Sequence, residues 1–105
     1  MVTVSVNGGI CGLSTTIKLE SKDSKQATLH MKSECKIIRN IGTELSKLDI
    51  YAECFAEIGT SPVYHFFRKH RSHAACPVPL AITKGSEVLG GLALPKDVLI
   101  AIARD

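Results

Sequence analysis

The hydrophobic period of this chain changes once, at Glu34, and that change restricts it to a sheet followed by helices. Before Glu34, apolar residues take every second position: Val2, Val4 and Val6, then Ile17 and Leu19, then Ala27, Leu29 and Met31. A period of two sends successive side chains to opposite faces of a strand, so each run predicts a strand with one dry face. Asn7-Gly8-Gly9 and Ser21-Lys22-Asp23-Ser24-Lys25 are turn sequences between the runs, which makes an antiparallel meander. After Glu34, Ile37, Ile38, Ile41, Leu45 and Leu48 recur at helical spacing and predict an amphipathic helix opening near Cys35. Gly42 weakens that helix, since glycine costs about 1 kcal/mol relative to alanine in a helix interior.

Beyond the helix, Asp49 to Ile58 shows no clear period. Thr60-Ser61-Pro62 reads as a cap followed by a first-turn proline, opening a short helix that buries Val63, Phe66 and Phe67. Pro77 and Pro79 fit a helix only in its first turn, where a missing N–H has no helical partner, so they fix another helix start beside Cys76. Gly90-Gly91 stops that helix. Asp97 to Ala103 alternates Val98, Ile100 and Ile102 and predicts a last strand. The expected architecture is α+β in two layers: a four-stranded, mainly antiparallel sheet with helices on one face, in the order β-β-β-α-α-α-β.

With 105 residues, 45% of them hydrophobic, the chain can bury one aliphatic core without disulfides, and residues 1–105 read as a single cysteine-containing domain. Met1 to Val6 alternates and lacks the charged start and apolar run of a signal peptide, so a cytoplasmic address is expected. No stretch approaches the roughly 20 apolar residues of a membrane span. The net charge of +3 falls short of a nucleic-acid signature. In a reducing compartment four cysteines point to metal or thiol chemistry more than to disulfides.

Cys76 is the first candidate. A helix start concentrates unpaired N–H groups and positive dipole, which favours thiolate, the form that ligates metals and attacks electrophiles. Cys35 falls in the same setting ahead of the first long helix. Cys11 lies among glycines in Gly8-Gly9-Ile10-Cys11-Gly12, where backbone amides can approach a bound ion. Cys54 reads more as a core thiol. His70, His73 and Cys76 stand three residues apart, so an imidazole can join the Cys76 sulfur on one ion. No paired C-x-x-C is present, and any metal site must be assembled by the fold.

Cys76-Pro77-Val78-Pro79 resembles the hallmark of the small sulfur-carrier family typified by TusA, a Cys-Pro-x-Pro motif at a helix start. The helix after it and the run Asp97 to Ala103 continue the likeness, which implies persulfide transfer with the sulfur on Cys76. Over nearly its whole length the chain is similar to a small uncharacterised family of prokaryotic proteins, a domain of unknown function. That likeness lies in Gly9-Ile10-Cys11-Gly12, Cys35, Val63-Tyr64, His73 through Pro79 and Gly91 through Val98. It implies that Cys11, Cys35 and Cys76 are motif residues.

Three functions follow as expectations. In the first, Cys11, Cys35 and Cys76, with Cys54 or His73 as fourth ligand, bind zinc or an iron–sulfur cluster. In the second, Cys76 acts as a catalytic or relay thiol that exchanges sulfur with a donor or acceptor protein. In the third, Arg68, Lys69 and Arg71 contact an anionic partner. This noncatalytic interaction module ranks last, and nucleic acid is not the expected partner, because no aromatic platform accompanies the basic run.

Overall fold

Residues 2–44 fold as their period requires. The computed structural model describes residues 1–105. Strands β1 (Val2–Asn7), β2 (Ser14–Ser21) and β3 (Gln26–Ser33) form the meander. Their antiparallel register sets Val4 opposite Ile17 and Ile17 opposite Met31, so the alternating apolar residues share one face. Helix α1 (Lys36–Glu44) follows with Cys35 as its N-cap. The expected α+β sheet with helices on one face is present, in the linear order β1-β2-β3-β4.

The fourth strand is not the expected one. It is β4 (Lys47–Asp49), paired antiparallel to the start of β3 with Leu48 opposite Ala27. Leu48, assigned to the first helix by spacing, is buried from this strand instead, because the helix ends at Glu44 and Leu45 turns out of helical geometry. Asp97 to Ala103 forms no strand: residues after Leu92 are irregular, and Leu99 and Ile102 are nearly fully exposed. The alternation there is real, but a strand also needs ladder partners, and these residues make no backbone hydrogen bonds.

Three more helices complete the dry layer. Helix α2 (Ile50–Cys54) is capped by Asp49, whose carboxylate accepts the Ala52 N–H at 3.0 Å. Helix α3 (Pro62–Lys69) is capped by Ser61 and begins on proline as its sequence requires. Helix α4 (Val78–Leu89) begins between the two prolines, with Pro77 as N-cap and Pro79 in the first turn. Ile17, Leu19, Ala27 and Leu29 from the sheet meet Ile38, Ile41, Ile50, Val63, Phe67, Val78 and Ile82 in one aliphatic core. Polar residues such as Lys18, Glu20, Thr28 and His30 face solvent on the other side of the sheet.

The direction of α4 organises the rest. Its end lies at the turn joining β2 to β3: a Cβ on Gly90 would meet Ile50 at 2.8 Å, and the Ile50 N–H donates to the Lys25 carbonyl. Gly85 lies over Val2, Val4 and Leu19, near the same end. The N-terminus of α4 therefore points to the opposite end of the sheet, where β1 passes to β2 and β3 passes to α1.

Candidate functional site: a cysteine-bearing pole

Three of the four cysteines reach this end of the sheet from distant parts of the sequence. Cys11 closes the single 3-10 turn Gly9–Cys11 between β1 and β2. Cys35 follows β3, and Cys76 immediately precedes the N-cap of α4. All three thiols are free. Cys35 and Cys76 are half-buried against the aliphatic core, whereas Cys11 is exposed. Strand connectivity explains the convergence: an even number of antiparallel passes returns β1's exit and β3's exit to one end, and α4 is aimed back at it.

The turn that carries Cys11 depends on glycine. Gly9 and Gly12 have φ of 77° and 69°, in the left-handed region that a side chain disfavours. The Asn7 side chain accepts the Gly9 N–H at 3.0 Å, and the Gly12 N–H returns to the Gly9 carbonyl at 2.9 Å. A Cβ on Gly8 would collide with the Cys11 sulfur, so the thiol lies folded over a residue that must lack a side chain.

Beside it, a polar seam locks β2 to the start of α1. The Glu34 carboxylate accepts both the Ser14 N–H and its hydroxyl, each at 2.8 Å, and these bonds hold the Glu34 carboxyl below its ordinary pKa. Ser33 Oγ lies 2.7 Å from Thr15 Oγ1 and accepts the Cys35 N–H at 3.0 Å. Arg39 donates to the carbonyls of Ser33 and Glu34. Cys35 is thus held by its backbone, and its side chain makes no cap hydrogen bond. Across the pole, the Cys76 N–H donates to the His73 carbonyl at 3.2 Å, a turn that keeps exposed His73 next to this thiol.

Cys54 does not join them. It ends α2 beside Glu87, roughly 15 Å up the α4 axis from Cys76 at 1.5 Å per residue. Burial, then the negative charges of Glu87 and Glu53, push its thiol pKa up to about 11. Of the two expected fourth donors, His73 stands at the pole and Cys54 away from it. The five expected donors are also not gathered as they stand: no group of three or more His, Cys, Asp or Glu side chains that could hold a metal ion is formed.

The basic run is partly occupied. Lys69 Nζ and His70 Nε2 lie 3.3 Å and 2.8 Å from the Glu44 carboxylate, joining the end of α3 to the end of α1. Arg68 and Arg71 remain exposed.

Sequence reasoning missed Glu53, a carboxylate only 2% exposed. One oxygen accepts the Val63 N–H at 2.9 Å, an unpaired donor in the first turn of α3, and the other accepts the Thr83 hydroxyl at 2.8 Å. It therefore ties α2, α3 and α4 together. The available signal was Ser61-Pro62, a helix start in need of acceptors, but nothing in the sequence said which acidic residue would supply one.

Fold and site together define a small α+β protein with a cysteine-bearing pole. The chain belongs to DUF6951, a family of unknown function whose model matches residues 2–102. No curated protein and no solved structure matches it. The family match accords with the resemblance to an uncharacterised family, whereas the likeness to sulfur carriers loses its last strand, because Asp97 to Ala103 is irregular. No helix is long and apolar enough to cross a membrane.

Proposed function

We propose that the pole is a thiophilic metal site, with Cys11, Cys35 and Cys76 as ligands to zinc or an iron–sulfur cluster and His73 as the fourth donor. The observation that supports this reading is the arrival of three free thiols, from three remote segments, at one end of the sheet, with two of them heading helices. Helix N-termini favour the thiolate that a soft metal requires. Cys35 and Cys76 are anchored on the core, and Cys11 stands on a glycine turn at the same end of the sheet. In this reading the Gly8–Gly12 turn closes when metal binds.

Protein purified anaerobically is expected to hold about one zinc or one cluster per chain, with zinc coordination being tetrahedral. Cys11→Ser, Cys35→Ser and Cys76→Ser should each reduce retained metal, and Cys54→Ser should not. Wild-type protein that holds no metal and does not retain added zinc or iron would end the proposal.

One feature favours a second reading. Cys76 sits ahead of a twelve-residue helix whose first N–H groups have no side-chain cap, so a single thiol stands at an uncapped helix start. The Cys76 thiolate would then take a sulfur atom from a persulfide donor, whose own thiolate leaves. Rapid alkylation confined to Cys76 favours relay. Slow alkylation of the pole cysteines that accelerates on adding a chelator favours metal.

A further inference from the structure

The outer edge of β1 is open and carries none of the features that usually protect an edge strand. The Gly8 N–H bonds the Leu13 carbonyl, so the antiparallel alternation turns Val2, Val4 and Val6 toward β2 and leaves the N–H groups of Thr3, Ser5 and Asn7 pointing outward. Edge strands are normally blunted by lysine, proline, a bulge or a cover. Val2–Asn7 contains no charged residue and no proline, and its register runs without a bulge.

A groove of about 820 Å3 lies along this edge, floored by β1, walled by the Leu80, Ala81 and Val88 side of α4, and bounded by residues 95–100 of the C-terminal tail. The tail carries the alternation of a strand but no hydrogen bonds, with Val98 at 52%, Ile100 at 69% and Ile102 at 92% exposure. Open edge, apolar groove and unpaired strand sequence thus occur side by side in one chain. Seven residues at about 3.3 Å each match the length of β1.

We propose that residues 97–103 form a strap that closes into this groove as a fifth strand on β1. Its direction follows from the fold: α4 ends at the Val2 end of β1, so a tail returning along the groove runs parallel to β1 toward Asn7 and Pro77. Pro95 stands ahead of the paired segment, where its missing N–H costs no ladder bond. The sheet becomes five-stranded, and the apolar side chains of the strap cover the groove side of α4. Tethering through the few residues after Leu89 gives this pairing a high effective concentration, ahead of any second chain.

Amide hydrogen exchange of the full chain tests it, with Ile100→Pro and Ile102→Pro as variants. Both residues are exposed and unbonded in the open arrangement, so proline leaves that arrangement intact while removing a ladder donor from the strap. The Thr3, Ser5 and Asn7 amides are expected to exchange at least about tenfold faster in the variants than in the wild type, with Val2, Val4 and Val6 unchanged. Equal rates for those three amides in wild type and variants would overturn the strap. So would protection that grows with protein concentration, which would assign the edge to a second copy.

Discussion

At the scale of single residues, Glu53 shows how a buried carboxylate serves a fold in which it meets no cation. Its two oxygens accept from the Val63 N–H, which would otherwise be buried without a partner, and from the half-buried Thr83 hydroxyl. Leaving the Val63 donor unsatisfied costs about 1–3 kcal/mol, so Glu53→Ala is expected to destabilise the protein by about that much in urea denaturation. Glu53→Gln should lose much less. Its amide oxygen can keep the Val63 N–H, while Thr83, whose hydroxyl also lies 3.1 Å from the Pro79 carbonyl, can turn to that carbonyl and accept from the new amide. Equal losses in the two variants would show that charge rather than hydrogen bonding holds the site. No sequence rule picks Glu53 out of Tyr51-Ala52-Glu53-Cys54, because its partners lie 10 and 30 residues away. Cys35 and Cys76 were legible for the opposite reason: local signals, a change of period and a pair of prolines, mark the element starts beside them.

At the scale of elements, the close approach of α4 to the sheet depends on Gly85. A Cβ there would lie 2.7 Å from Val4 Cγ2 and 2.8 Å from Leu19 Cδ1. Val4 is half-buried on an edge strand and can rotate, but Leu19 is fully buried in the core and cannot. Gly85→Ala gains about 1 kcal/mol of helix propensity and loses about 1–3 kcal/mol to overpacking. A net loss of about 1 kcal/mol is expected from the denaturation midpoint, and an increase in stability would mean that α4 lifts off the sheet without cost. Element boundaries were legible where a residue type forces them, as Pro62, Pro77 and Ser61 do. They were illegible at β4 and α2, because three and five residues are too few to establish a period, and Leu48 could be fitted to the preceding helix equally well. The tail has the alternation of a strand without being one in this arrangement, because alternation reports strand propensity, whereas a strand exists only where an edge is paired with it.

At the scale of the whole molecule, three carboxylates hold parts of the fold that the core does not reach, and all three have lowered pKa values. Asp23 accepts the backbone N–H groups of Gln26 and Lys25 in the β2–β3 turn. Glu34 accepts from Ser14 at the cysteine-bearing pole. Glu44 accepts from His70 and Lys69, joining α1 to α3. In each case the acceptor bonds favour the charged form, so the folded state binds its proton less readily than the unfolded chain does. Their contribution is therefore complete above the ordinary values of 3.8 and 4.5 and disappears as pH falls through the lowered ones. The melting temperature should accordingly be insensitive to these groups between pH 6 and pH 8, about two units above them, and should decline below about pH 4.5. Glu34→Gln and Glu44→Gln should each flatten that acid decline while lowering stability at neutral pH. All three carboxylates are solvent-exposed, so salt should weaken the Glu44–Lys69 ion pair and leave the bonds that Glu34 and Asp23 accept from uncharged N–H and O–H donors largely in place. If Glu44→Gln left the acid limb of the melting curve unchanged, the join between α1 and α3 would rest on Val63 and Phe67 packing into the core instead.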